Sequence, residues 1–163
     1  MSIVPAPILT KIANVRAHHG KIVFVSGVFD ILHQEHQAFL KKAAELGDLV
    51  VIGIESDLRV KQLKGPDRPI NPAAKRVAQL EALHLSAAIF VLPEQFSKPA
   101  DHDHLISLIK PDFLAVSSHT AHLDKKAAIV EKYGGQLKVV LEQNPTVSTT
   151  LILAGNLPIG DDK

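Results

Sequence analysis

The 163-residue chain contains no cysteine and no tryptophan. The missing thiols exclude disulfides and thiolate metal sites, and they suit a reducing cytoplasm, which is the expected location. Charge of one sign is scarce too: 18 Lys and Arg stand against 17 Asp and Glu, a formal net charge of +1. No single-sign field therefore points to nucleic acid or an anionic membrane, and neither is expected as a partner. No apolar stretch approaches the ~20 residues that span a bilayer. The opening "MSIVPAPILTKIANVRAHHG" lacks the uninterrupted apolar core of a signal peptide. No G-x-G-x-x-G follows the first strand-like run, which removes the usual fingerprint of a dinucleotide-dependent oxidoreductase.

What remains is 46% hydrophobic and 21% charged, enough for one domain with a sizeable core. Strand-like runs at residues 21–27, 48–54, 87–92, 112–117 and 137–141 alternate with helical patterns near residues 8–18, 33–46, 71–83, 104–109 and 123–133. Asn71-Pro72 reads as an N-cap followed by proline in the first turn. The near-continuous apolar strands predict an α/β fold: a doubly wound, Rossmann-like, parallel five-stranded sheet with helices on both faces. One domain is expected over residues 1–154, followed by a flexible tail at 155–163. "KKAA" recurs at Lys41–Ala44 and Lys125–Ala128, read as helix composition with lysines facing solvent. Such sheets bind ligands beyond the carboxyl ends of their strands, so the loops at 27–33, 55–72, 117–122 and 144–150 are the places to look.

Three groups of residues in those loops carry chemistry. "GVFDILHQEH" (residues 27–36) puts His33 and His36 one turn apart at a helix start, where free N–H groups attract anions and imidazoles can bind phosphate oxygens. Taken alone, His36 reads more readily as a core histidine on a stripe with Leu32, Phe39 and Leu40. "VKQLKGPDRPINPAAKR" places Lys61, Lys64, Arg68 and Arg76 around a Gly-Pro turn, either a polyphosphate clamp or a solvated loop and helix face. "VSTT" brings Ser148, Thr149 and Thr150 to a helix start, as caps or as phosphate ligands. "DHDH" (Asp101–His104) reads as a loop with aspartate capping a helix rather than as a metal site, and no metal is expected to be held by the protein.

"GVFDILHQEH" resembles the G-x-F-D-x-x-H-x-G-H signature of the cytidylyltransferase-like nucleotidylyltransferases. "ELGDLVVIGIESD", "LKGPDRPINP" and "VSTT" follow in that family's order and spacing. Within the family the resemblance is strongest to the nucleotidylyltransferase domains of ADP-heptose synthases, and weaker to glycerol-3-phosphate cytidylyltransferases. It implies transfer of CMP or AMP from an NTP, with Mg²⁺, to a phosphorylated small molecule such as a sugar or polyol phosphate. Pyrophosphate is released, and a homodimer is expected by analogy. It implies His33, His36 and Lys64 as catalytic residues. Val28, Phe29, Asp30, Lys61, Arg68, Arg76, Ser148, Thr149 and Thr150 would bind nucleotide and phosphate.

Two departures stand out. Glu35 occupies the place of the motif glycine, and "VSSHTAH" (Val116–His122) replaces an acidic segment after the fourth strand. Glu35, Ser118 and His119 are therefore candidates for altered specificity, although His119 and His122 also read as exposed loop residues. The alternative is a catalytically weak relative that binds nucleotide as a sensor or interaction module.

Overall fold

The computed structural model describes residues 2–141. The chain runs α1 (Ala6–Ala17), β1 (Ile22–Gly27), α2 (Gln34–Ala44), β2 (Leu49–Ile54), α3 (Asp57–Lys64), α4 (Ala73–Glu81), β3 (Ala87–Val91), α5 (Pro99–Ile109), β4 (Phe113–Ser117), α6 (Leu123–Lys132) and β5 (Gln136–Leu141). All strand pairs are parallel, in the order β3-β2-β1-β4-β5. This is the doubly wound sheet the alternating pattern predicts. β2, buried along its whole length, is apolar throughout because helices cover both faces of the sheet. Val4, Ile8 and Ile12 pack with Leu105, Ile106, Ile109 and Val130, so α1, α5 and α6 cover one face. Phe39, Leu40, Ala43 and Leu80 bring α2 and α4 to the other. Among the described residues no helix is long and apolar enough to cross a membrane.

Three local expectations are corrected. The segment read as a loop over 55–72 holds a helix, α3: Ser56 Oγ accepts the Arg59 N–H at 3.1 Å, Asp57 opens the helix and Gly65 ends it at φ 114°. Pro72, not Asn71, occupies the N-cap of α4. The Asn71 amide is turned away to donate to the Asp30 carbonyl at 2.6 Å, and Asp57 Oδ1 takes the Ala73 N–H at 2.9 Å instead. Asp101–His104 lie inside α5 rather than in a loop, although Asp101 does cap, accepting from the N–H groups of Ser97 (3.0 Å) and Lys98 (2.8 Å).

The sheet opens where its winding reverses. β1 pairs with β4 only at Val23–Phe113 and Phe24–Leu114, yet the strands continue to Gly27 and Ser117. A crevice forms between their carboxyl ends, the switch point where doubly wound folds take ligands.

Candidate active site

The β1–α2 loop enters the site through a backbone conformation that disfavours a large side chain. Phe29 has φ 50° and is 2% exposed, so packing holds it in the left-handed region. His33 then caps α2: its Nδ1 accepts the His36 N–H at 3.2 Å, the task usually given to serine or aspartate. With Nδ1 accepting, a neutral ring carries its proton on Nε2, which makes that edge a donor. The two imidazoles stack at 4.2 Å with 12° between planes, and Phe29 meets His36 edge-on at 5.1 Å. The pair is buried at the positive end of α2, where the helix dipole favours an anion.

Asp30 fixes this loop. The carboxylate is fully buried; Oδ2 accepts from Arg68 Nε at 3.0 Å and from the Ile70 N–H at 2.8 Å, and Oδ1 accepts from the Asn71 N–H at 2.8 Å. Arg76, also fully buried, donates to the carbonyls of Asn71 (3.0 Å), Val28 (3.0 Å) and Glu55 (2.8 Å) and to Asp57 Oδ1 (2.6 Å). Arg76, expected to contact phosphate, is engaged here in a brace of three carbonyls and one carboxylate. Arg68 and Asp30 likewise position the loops by bonding each other. Lys61 and Lys64 are exposed in the last turns of α3, and Lys61 lines an open groove with Asp57, Asp67 and Arg68. Glu35 is half-buried in the first turn of α2. Ser118 is half-buried and His119 exposed in the turn after β4. Ser148, Thr149 and Thr150 lie outside the described residues, as does the expected domain end at 154.

The switch-point crevice holds a second polar group. Its empty volume, open mouth included, is about 580 Å³, and Ser26, Ser117, Thr120, His102 and Lys126 line it over a floor that includes Phe24, Phe39 and Leu114. Phe39 stands one helical turn beyond His36. Lys126 belongs to the "KKAA" expected to face solvent; it is half-buried here, whereas Lys125 is exposed. Burial pushes the Lys126 ammonium below its ordinary value, with Glu55 opposing. Burial pushes the Glu55 carboxyl up, against the pull of Arg59, Arg76 and Lys126. Burial pushes the His102 imidazole down, assisted by Lys126 and Arg59 and opposed by Asp101. Nothing in the sequence marks Glu55, Arg59, His102 and Lys126 as a group, since they come from three separate segments.

The profile of the cytidylyltransferase-like family matches residues 24–154. This chain belongs to that family. It is 38% identical over 149 residues to the bifunctional protein HldE of Pseudomonas savastanoi pv. phaseolicola and 39% identical over 149 residues to that of Pseudomonas putida strain W619. Each match covers 90% of this chain and 30% of the relative, so the chain spans under a third of the relatives' length. In solved structures the fold recurs in a lipopolysaccharide core biosynthesis protein from Thermoplasma volcanium (TM-score 0.59, 24% identity, 77% of this chain and 98% of that one). It recurs also in a pantoate-beta-alanine ligase from Francisella tularensis (TM-score 0.57, 15% identity, 91% and 74%). In this cytidylyltransferase-like chain the histidine pair and the crevice share one end of the sheet.

Asp30→Ala strips partners from a buried guanidinium and two backbone N–H groups. Unfolding in denaturant should show a loss of about 3–5 kcal/mol, the usual consequence of breaking one side of a buried pair. Glu55 gives a pH-dependent test. Its folded-state carboxyl lies above the ordinary value of 4.5, so ionisation burdens the folded state only as pH rises beyond that value. Glu55→Gln should therefore match the parent in melting temperature near pH 4 and exceed it at pH 7. A difference that is constant over this range would show that ionisation of Glu55 carries no such cost.

Proposed function

We propose that this chain is a nucleotidylyltransferase that moves CMP or AMP from an NTP to a phosphorylated small molecule, a sugar or polyol phosphate. An acceptor phosphate oxygen attacks the α-phosphorus. The new P–O bond forms as the bond to the bridging oxygen of the β-phosphate breaks, and pyrophosphate leaves. Positioning and charge stabilisation are all the protein must supply. The observation that carries this reading is the stacked His33–His36 pair at the N-terminus of α2, with one imidazole also serving as its cap. Both rings and the helix end would face phosphate oxygens, and Lys64 and Lys61 would close over the triphosphate as mobile charges. Val28, Phe29 and Asp30 shape the loop under the phosphates, and Ser148, Thr149 and Thr150 would complete the phosphate site.

Mg²⁺ would arrive on the nucleotide, since it keeps much of its water and binds largely through substrate phosphates. Bound there, it would neutralise charge on the departing pyrophosphate.

The test is to incubate the protein with each NTP, Mg²⁺ and a panel of sugar and polyol phosphates, and to measure pyrophosphate. His33→Asn keeps a preferred N-cap but loses the imidazole. Melting temperature should hold while turnover falls about 10²–10³-fold, the usual loss when one preorganised donor is removed. Unchanged turnover would remove His33 from the chemistry. The half-buried Glu35 carboxylate favours a second reading, the weak or inactive nucleotide sensor. Nucleotide binding without pyrophosphate from any acceptor would support it.

Glu35 has its own prediction. At ~4 Å a carboxylate repels a phosphate charge by about 1 kcal/mol in water and about 4 kcal/mol at a partly buried site. Glu35→Gly should therefore raise NTP affinity by at least about fivefold in calorimetry. Glu35→Gln, which keeps the bulk, separates charge from sterics. Weaker binding by Glu35→Gly would make Glu35 a ligand-recognising residue.

A further inference from the structure

Helix α3 carries the exposed Lys61 and Lys64, yet little packing holds it. It has eight residues, and Val60 is the only one buried. Isolated helices shorter than ~12 residues are marginal in water, so an anchor outside the helix must fix this one. Asp57, in its first turn, supplies the anchor. Its Oδ1 accepts the Ala73 N–H of α4 at 2.9 Å and Arg76 Nη2 at 2.6 Å. Pro72 stands at the N-cap of α4, and its ring offers no hydrogen-bond acceptor. The helix therefore takes its cap from a residue sixteen positions upstream. One oxygen closes the segment 57–73 on itself and ties it to the fully buried Arg76. Lys61 lies one helical turn from Asp57 on the same face, and both line one open groove. Lys64 follows at the end of α3, where Gly65 stops the helix at φ 114°.

We propose that Asp57 is a positioning residue: by pinning the first turn of α3 to α4 it aims Lys61 and Lys64 at a polyphosphate. The proposal rests on the nucleotidylyltransferase reading and adds to it the residue that sets its mobile cations. Asp57 itself touches no phosphate in this scheme. By charge alone a carboxylate is misplaced in a groove meant for anions, since it repels each phosphate it faces. Its bonds to α4 give the reason for it. Lysine heads move on flexible stems, and they lose less freedom on binding when their backbone is already fixed. Such preorganisation reads out as affinity, and it offsets the repulsion.

Charge and placement predict opposite results when the carboxylate is removed. Affinities for inorganic tripolyphosphate and inorganic phosphate are measured by calorimetry on the full chain, with each NTP and Mg²⁺ titrated beside them. The parent should bind tripolyphosphate about tenfold more tightly than phosphate, or better. Asp57→Ala loses both bonds, and tripolyphosphate should bind it about tenfold more weakly although the groove has become more positive. Asp57→Asn keeps an oxygen for both donors and drops the charge, so it should bind at least as tightly as the parent. Its melting temperature should fall nonetheless, because the buried Arg76 guanidinium loses its counter-charge. A merely structural role would make affinity follow melting temperature instead. Ala73→Pro removes one donor at the first helical position, where proline is tolerated, and Pro72 before it already has ψ 160°. It should stay folded and bind tripolyphosphate about threefold more weakly. In a Lys64→Ala background, Asp57→Ala should weaken binding by less than about threefold more, since the lysine it aims is gone.

If Asp57→Ala binds tripolyphosphate as tightly as the parent, or if Asp57→Asn is weakened as much as Asp57→Ala, the proposal is overturned. An equal loss with and without Lys64 overturns it too. Should Asp57→Ala not fold, Ala73→Pro decides, and unchanged affinity there sinks the assignment. A parent that prefers tripolyphosphate no more than phosphate also overturns it, even where NTP binds and the nucleotidylyltransferase reading survives. If the tripolyphosphate pattern holds while no NTP binds, that reading fails and the role of Asp57 stands.

Discussion

The Asp30 carboxylate is the interaction on which the site depends. Strand β1 ends in a loop that must place two imidazoles at a helix start, and loops do not hold such positions unaided. Asp30 supplies the hold by accepting from Arg68, Ile70 and Asn71, which ties the β1–α2 loop to the segment between α3 and α4. Arg76 completes the brace from below, bonding the carbonyls on both sides of it. The result is a buried charge pair surrounded by backbone donors and acceptors. Such a pair is held more for its geometry than for net stability, because desolvation offsets much of its Coulomb gain.

That brace also divides the labour among cations. Arginine, with its fixed fork of five donors, is suited to satisfying several carbonyls at once and to staying buried while charged. Lysine on the surface of α3 keeps the freedom to follow a ligand. The five basic residues of the "VKQLKGPDRPINPAAKR" stretch therefore separate into two internal struts, Arg68 and Arg76, and three exposed charges, Lys61, Lys64 and Lys75. A similar separation holds in the "KKAA" of α6, where Lys125 is exposed and Lys126 half-buried at the crevice.

Much of the fold was legible because parallel strands buried on both faces leave a strong signal. "IVFVSG" and "LVVIGI" read as strands without ambiguity, and Gly-Gly after α6 marked the return to the sheet. Helix α3 was hidden because its signals, Ser56 and Asp57 at the start and Gly65 at the end, sit beside the proline-rich run 66–72, which dominates a local reading. Asn71 misled for a related reason: it is a preferred cap residue, but Asp30 needed its amide more than α4 needed its oxygen.

By itself the sequence determined the layer architecture, the alternation of strands with helices and the place of the histidine pair, since each follows from periodicity or from residues close together in the chain. Only the tertiary structure decided which of the charged residues are struts and which are available. It alone decided that Ser26, His102, Ser117, Thr120 and Lys126 line one crevice. The physical reason is that burial and electrostatic neighbourhood belong to the packed chain: four segments converge where β1 and β4 stop pairing, and no local pattern encodes that convergence.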